Sequence, residues 1–184
     1  MIFEPKEIIM KNGYTCTLRN ACAEDAAILI EYLKKTTGET PFLAKEPDEV
    51  TLTLEQEVSF INRIMEDKRE LMLIAVQDGR HMGNCSISAI GSSRRYAHRC
   101  SIGIALYQEY CGLGVGRAML RAVLEAAKEC GYEQAELEVV STNTKAIRLY
   151  ESEGFTIYGT RPHGMKYHDG TYADEYLMKK DLRP

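Results

Sequence analysis

One stretch constrains this chain more than any other: Ser101-Ile-Gly-Ile-Ala-Leu-Tyr-Gln-Glu-Tyr-Cys-Gly-Leu-Gly-Val-Gly-Arg-Ala-Met-Leu, ending at Leu120. An apolar strand-like run enters a loop holding Gly112, Gly114 and Gly116, and a helix begins at once. Leu120, Val123, Leu124 and Ala127 keep helical spacing, and Gly131 stops the helix near Cys130. Glycines admit positive φ and close approach of a ligand. The first turn of a helix adds unpaired N–H groups and a partial positive charge. Strand, glycine loop and helix start together predict a phosphate cradle, with Arg117 as a cation in the first helical turn. A glycine-rich turn without a ligand has the same pattern, so on this stretch alone both readings stand.

The familiar phosphate motifs do not fit. No Lys-Ser/Thr pair follows the glycines, which removes the Walker pattern, and G-x-G-x-x-G fails at Met119. A dinucleotide unit belongs near the start of a doubly wound sheet, whereas this segment comes late, after a hairpin signal. That signal is Leu71–Val76 and Met82–Ile90 on either side of Asp78-Gly79. Before it, a strand is predicted over Thr15–Arg19 and a helix over Glu24–Lys35, closed by Gly38. A loop over Glu39–Thr53 and a helix over Leu54–Asp67 follow. Cys100–Tyr107 is the strand entering the glycine loop. Later elements are strand Ala135–Val140, helix Asn143–Glu153 ended by Gly154, and strands Phe155–Gly159 and Tyr172–Lys179. This order predicts a single α/β domain over residues 1–184, a mixed sheet with helices on both faces.

Composition narrows the function classes. A net charge of -4 and no basic stripe speak against a nucleic-acid partner. The early acids and proline of MIFEPKEIIMKNGY are unlike a signal peptide, and no apolar run reaches membrane-spanning length. Cys16, Cys22, Cys85, Cys100, Cys111 and Cys130 form no C-x-x-C pair, several lie in apolar runs, and they read as reduced thiols of a cytoplasmic protein. His81, His98, His163 and His168 show no metal-ligand spacing, so no metal is expected.

A second segment changes the weight of the first. Asn143, Ala146 and Tyr150 stand at i, i+3 and i+7 and share one helical face, with Gly154-Phe155 after them. Taken alone, Asn143 is a helix cap and Tyr150 a half-buried aromatic. Taken with the loop Cys111-Gly112-Leu113-Gly114-Val115-Gly116, the run Asn143-x-x-Ala146-x-x-Leu149-Tyr150 resembles the GNAT N-acetyltransferases. That family carries Gln/Arg-x-x-Gly-x-Gly/Ala before a helix and Asn-x-x-Ala-x-x-Leu-Tyr further on. The match is strong over Ile102–Gly159.

The resemblance implies the GNAT fold: an α/β (α+β) mixed sheet of about seven strands, splayed between the fourth and fifth. It implies acetyl-CoA as cosubstrate and an amine as acceptor. Backbone groups around Ile104, Ala105 and Leu106 would pair with the pantetheine arm, and amides from Gly112 to Arg117 would hold the pyrophosphate. Asn143, with Ala146 on its face, would meet the pantetheine, and Tyr150 would sit at the sulfur and protonate the leaving thiolate, its acidity raised by a nearby helix N-terminus. A homodimer follows by analogy alone.

Two departures stand out. Cys111 occupies the usual Gln or Arg position and is a remote candidate for a nucleophile. The strand Arg99-Cys-Ser101-Ile-Gly103 lacks the glutamate that many members use as general base. His98 and the loop acids Glu39, Glu46 and Glu49 are the alternatives, while Glu55 and Glu57 favour a helix N-terminus. Two rival readings stay open: a domain that senses acetyl-CoA without transferring anything, and an unrelated nucleotide-binding protein.

Overall fold

The computed structural model describes residues 1–183. Eight strands form one sheet in the order β1-β2-β3-β4-β5-β6-β8-β7. They are β1 Lys6–Ile9, β2 Thr15–Asn20, β3 Leu71–Gln77, β4 Arg80–Ala89, β5 Arg99–Leu106, β6 Gln134–Val140, β7 Thr156–Lys166 and β8 Tyr172–Asp181. Four helices complete it: α1 Ala26–Glu39, α2 Leu54–Glu66, α3 Val115–Glu129 and α4 Thr144–Ser152. All pairings are antiparallel except β5 with β6.

Alternation along β3 sorts the two faces. Leu71, Leu73 and Ala75 join the main core under α3 and α4, with Met119, Leu120, Val123 and Tyr150. Met72 and Ile74 point the other way, into a smaller core with Leu29, Ile61 and Ile64 of α1 and α2. The expected hairpin forms at Asp78 (φ 48) and Gly79 (φ 76), both in the left-handed region that a tight two-residue turn needs.

Several boundaries differ from the sequence expectation. Strand β1 was not expected: it is a short edge strand with Ile9 80% exposed, and its apolar residues show no period. Gly38 lies inside α1 rather than beyond it. Thr36 and Thr37 donate their hydroxyls back to the carbonyls of Tyr32 and Leu33, on the last turns of the helix. Helix α2 starts as expected, because Thr53 and Gln56 cap each other's backbone N–H groups. Buried Glu57 does not serve as a solvated first-turn charge: burial pushes its carboxyl up, against the pull of Lys45. β7 runs on to Lys166, well past Gly159.

Candidate functional site

Backbone direction alternates along an antiparallel strand. Tyr107 N–H bonds the Met82 carbonyl at 3.1 Å, and Ile90 N–H bonds the Arg99 carbonyl at 3.4 Å. In that register the odd-numbered residues of β5 address β4. Ile102, Ile104 and Leu106 therefore address β6, which pairs with β5 only at Arg99↔Gln134, Cys100↔Ala135 and Ser101↔Glu136 and then diverges. The result is the expected splay, with a row of strand N–H and C=O groups facing a gap. Such an edge accepts an extended chain by backbone pairing. Two packing devices hold β5 there. Buried Tyr32 of α1 donates its hydroxyl to the Ala105 carbonyl at 2.8 Å. Gly83 of β4 approaches so closely that a Cβ would stand 2.6 Å from the Ala105 carbonyl oxygen and 2.7 Å from Leu106 Cα.

The loop after β5 carries Gly112 at φ 87 and Gly114 at φ 93. A side chain in that region costs roughly 1–2 kcal/mol. A Cβ at Gly112 would meet nothing within 4 Å, so the space over the loop is open. Gly116 has a different reason. Its φ is ordinary, and a Cβ there would lie 3.3 Å from Leu106 Cδ1 and 3.7 Å from Ile104 Cδ1. It lets α3 press against β5 beside the gap. Ala118 N–H is the first to reach a helical partner, the Gly114 carbonyl, so the N–H groups of Val115, Gly116 and Arg117 remain for a ligand. The Leu113 carbonyl is taken by Lys11 N–H at 3.0 Å.

Arg117 is less free than expected. Its guanidinium bonds Glu153 at 2.8 Å, and Arg121 bonds the same carboxylate at 2.8 Å. The charge is directed to the end of α4 rather than over the loop. The Cys111 thiol faces the Tyr107 carbonyl at 3.6 Å, and desolvation pushes its pKa up against the pull of Lys145, which disfavours it as a nucleophile.

Helix α4 forms the far wall. Asn143 caps it, its Oδ1 accepting Ala146 N–H at 3.3 Å, and its Nδ2 donates to nothing among the described residues. Ala146 and Tyr150 follow on the same face, with Tyr150 7% exposed and its ring 5.9 Å from Phe155. The Tyr150 hydroxyl has no hydrogen-bond partner among the described residues, yet it is not among the fully enclosed polar atoms. Burial, with a smaller effect of Cys85, pushes the phenol well above its ordinary value. The expected lowering by a helix N-terminus is absent, because Tyr150 lies in the last turns of α4.

The candidate bases separate cleanly. His98 precedes β5, at the end remote from the loop, where its carbonyl holds Glu133 and Gln134. That end is about 23 Å from Leu106 along the strand, too far for a role with a thiol held beyond Ile104. In an exposed turn the Glu46 backbone N–H donates to the Glu49 carboxylate at 2.8 Å. Glu39 is the loop acid brought near: it accepts the Gln108 N–H at 2.7 Å, just past β5. β6 carries Glu136, paired opposite Ser101 and ion-paired with Arg99 at the closed end of the splay, and Glu138 beyond it, bonded to Arg161 at 2.6 and 2.7 Å. Neither β6 carboxylate was expected, since strand pairing alone places them.

This arrangement agrees with what the chain is similar to. The model of the acetyltransferase (GNAT) family matches residues 29–155, more than half of the chain. The chain belongs to the GNAT family. A Streptococcus pneumoniae GNAT acetyltransferase shares its fold with a TM-score of 0.86 and 29% identity, over 90% of this chain and 99% of that one. A Salmonella typhimurium structure, yncA with its cofactor acetyl-CoA, aligns with a TM-score of 0.82 at 21% identity, over 92% of this chain and 95% of that one. The Escherichia coli L-amino acid N-acetyltransferase AaaT is 32% identical over 111 residues, 59% of this chain and 66% of the relative. The matched part spans about two thirds or less of the first curated relatives' own length. As a GNAT domain the chain keeps the splay, the glycine loop and the Asn-Tyr helix face. It lacks a carboxylate on β5 and a long polar side chain at Cys111.

Proposed function

We propose that this chain transfers an acetyl group from acetyl-CoA to a primary amine by direct attack. The observation that carries the reading is the unpaired edge of β5 running into the loop of left-handed Gly112 and Gly114, with Gly116 packed between Ile104 and Leu106 of that strand and Leu149 of the helix that carries Tyr150. The residues fit the cosubstrate. Ile104 and Leu106 offer backbone donors and acceptors for amide groups of an extended arm. Gly112 to Arg117 offer N–H groups for a pyrophosphate. The Asn143 amide donor faces the arm from the other side.

In this reading the thioester carbonyl accepts an N–H of β5, which stabilises the oxyanion as the neutral amine attacks. The C–S bond breaks, the leaving sulfur takes the Tyr150 proton, and the proton that the acylated nitrogen loses restores the phenol through solvent. The raised phenol pKa keeps that proton in place before the reaction and makes its transfer to a free thiolate more uphill, so donation has to accompany C–S cleavage. Glu39 and Glu138 are the groups available to draw a proton from the incoming ammonium. AaaT, an L-amino acid N-acetyltransferase, supports a small amino compound as acceptor. A cytoplasmic location and a homodimer are part of the same proposal; six free cysteines support the first, and family analogy supports the second.

A non-catalytic acetyl-CoA sensor is the second reading, favoured by the missing β5 carboxylate. Incubation with acetyl-CoA and a panel of amines, following free thiol, separates the two. Amine-dependent thiol release is expected, and its absence with every amine, despite binding, would leave the sensor.

A further inference from the structure

The turn of the β1–β2 hairpin, Met10 to Tyr14, sits on the glycine loop. Met10 is buried in the main core, and Lys11 N–H bonds the Leu113 carbonyl at 3.0 Å. The Lys11 side chain continues over the loop: its Cγ lies 3.8 Å from where a Gly114 Cβ would stand. Lys11 is exposed, and three further bonds of a flexible stem are enough to carry the ammonium over the open side of the loop. Lys11 takes part in none of the ion pairs among the described residues, whereas Arg117 and Arg121 share Glu153. The position within the loop that carries Gln or Arg in related sequences is Cys111, which brings no charge. Between Cys111 and Gly116 the loop therefore has unpaired N–H groups and left-handed glycines but no cationic side chain, the neighbouring cations being Lys145 by Cys111 and Lys11 over Gly114.

We infer that Lys11 supplies the missing cation and binds a phosphate of the cosubstrate, making the N-terminal hairpin part of the acetyl-CoA site. This rests on the acetyl-CoA reading above. Lys11 lies outside residues 29–155, the part that the family model matches. A lysine acts on phosphate as a compact point charge on a flexible stem, which suits a partner that only has to lean over an amide cradle. Its contribution is electrostatic and half-exposed, so it weakens with salt.

Calorimetric titration of the intact chain with acetyl-CoA and with dephospho-CoA tests this, on the wild type, Lys11→Met and Lys11→Arg. Lys11→Met is expected to bind acetyl-CoA about tenfold more weakly, with a shallower salt dependence, and Lys11→Arg to stay within about threefold of wild type. The exposed side chain leaves melting without ligand unchanged in both variants. If the contact is to the 3′-phosphate, the Met defect disappears with dephospho-CoA; if it is to the pyrophosphate, the defect persists. Either pattern supports the assignment. A Lys11→Met affinity within twofold of wild type overturns it while leaving the acetyl-CoA reading intact, and a wild type that binds neither ligand overturns both.

Discussion

Tyr150→Phe removes one oxygen from the cleft and little else. The ring keeps its place against Phe155, since it is 7% exposed and packed in the main core. The hydroxyl has no hydrogen-bond partner among the described residues, so no bond is lost in the free protein. Deleting this hydroxyl, which is not enclosed, therefore leaves thermal stability nearly unchanged. Acetyl-CoA affinity stays within about threefold, because the arm is held by β5 and the loop. Turnover is expected to fall about 10²–10⁴-fold, the usual value of a positioned acid. At 1.36 kcal/mol per tenfold this is about 2.7–5.4 kcal/mol of barrier. Burial holds the phenol above its ordinary range, so no descending limb from Tyr150 appears in kcat between pH 7 and about 10. Rapid-quench measurement of the chemical step, with Kd by calorimetry, decides the point. A chemical step within twofold of wild type would refute the acid role and return Tyr150 to packing.

Gly114→Val forces a β-branched residue to φ 93 and is expected to abolish acetyl-CoA binding while circular dichroism stays that of the folded chain; near-wild-type affinity would make the loop a simple turn. Gly83→Ala drives a methyl into the β5 backbone and should cost about 1–3 kcal/mol in urea unfolding and weaken acetyl-CoA binding together, and an undisturbed midpoint would refute the close approach. Asp25 is opposed by burial, but the Arg19 guanidinium, bonded at 2.7 and 2.8 Å, and Cys22 N–H bring its pKa from 3.8 to about 2. A lowered folded pKa gives stability that is present above the unfolded value and is lost as pH falls toward 2. Asp25→Asn should thus cost about 1–2 kcal/mol at pH 7 and roughly half as much at pH 3, and a pH-independent difference would contradict the pair.

The readable parts of this chain were those where local chemistry and global fold agree. Asp78-Gly79 needs no tertiary help to turn, and Gly131 and Gly154 end their helices at φ 86 and 88 by the same local rule. The glycine loop and the Asn143–Tyr150 face were legible because each lies within one element. The rest depends on distant partners. β1 is strand only because Lys6–Ile9 pairs with Thr15–Leu18, and α1 passes Gly38 because threonine hydroxyls and packing outweigh one glycine. Glu138 reaches the splay through β6 pairing, and Tyr32 through the seat of α1 on the sheet. No spacing along the chain encodes those meetings. His98 failed as a base for the same reason: adjacency to β5 in sequence put it at the wrong end of the strand.

Thermal melting of the intact chain with and without acetyl-CoA tests the central claim most directly. A ligand at 100 times its Kd stabilises the folded state by about 2.7 kcal/mol. For a chain of this size that raises the midpoint by about 5–10 °C. The account predicts such a rise with acetyl-CoA and with CoA, and its loss in Gly114→Val. A midpoint that millimolar acetyl-CoA leaves unmoved would contradict the account.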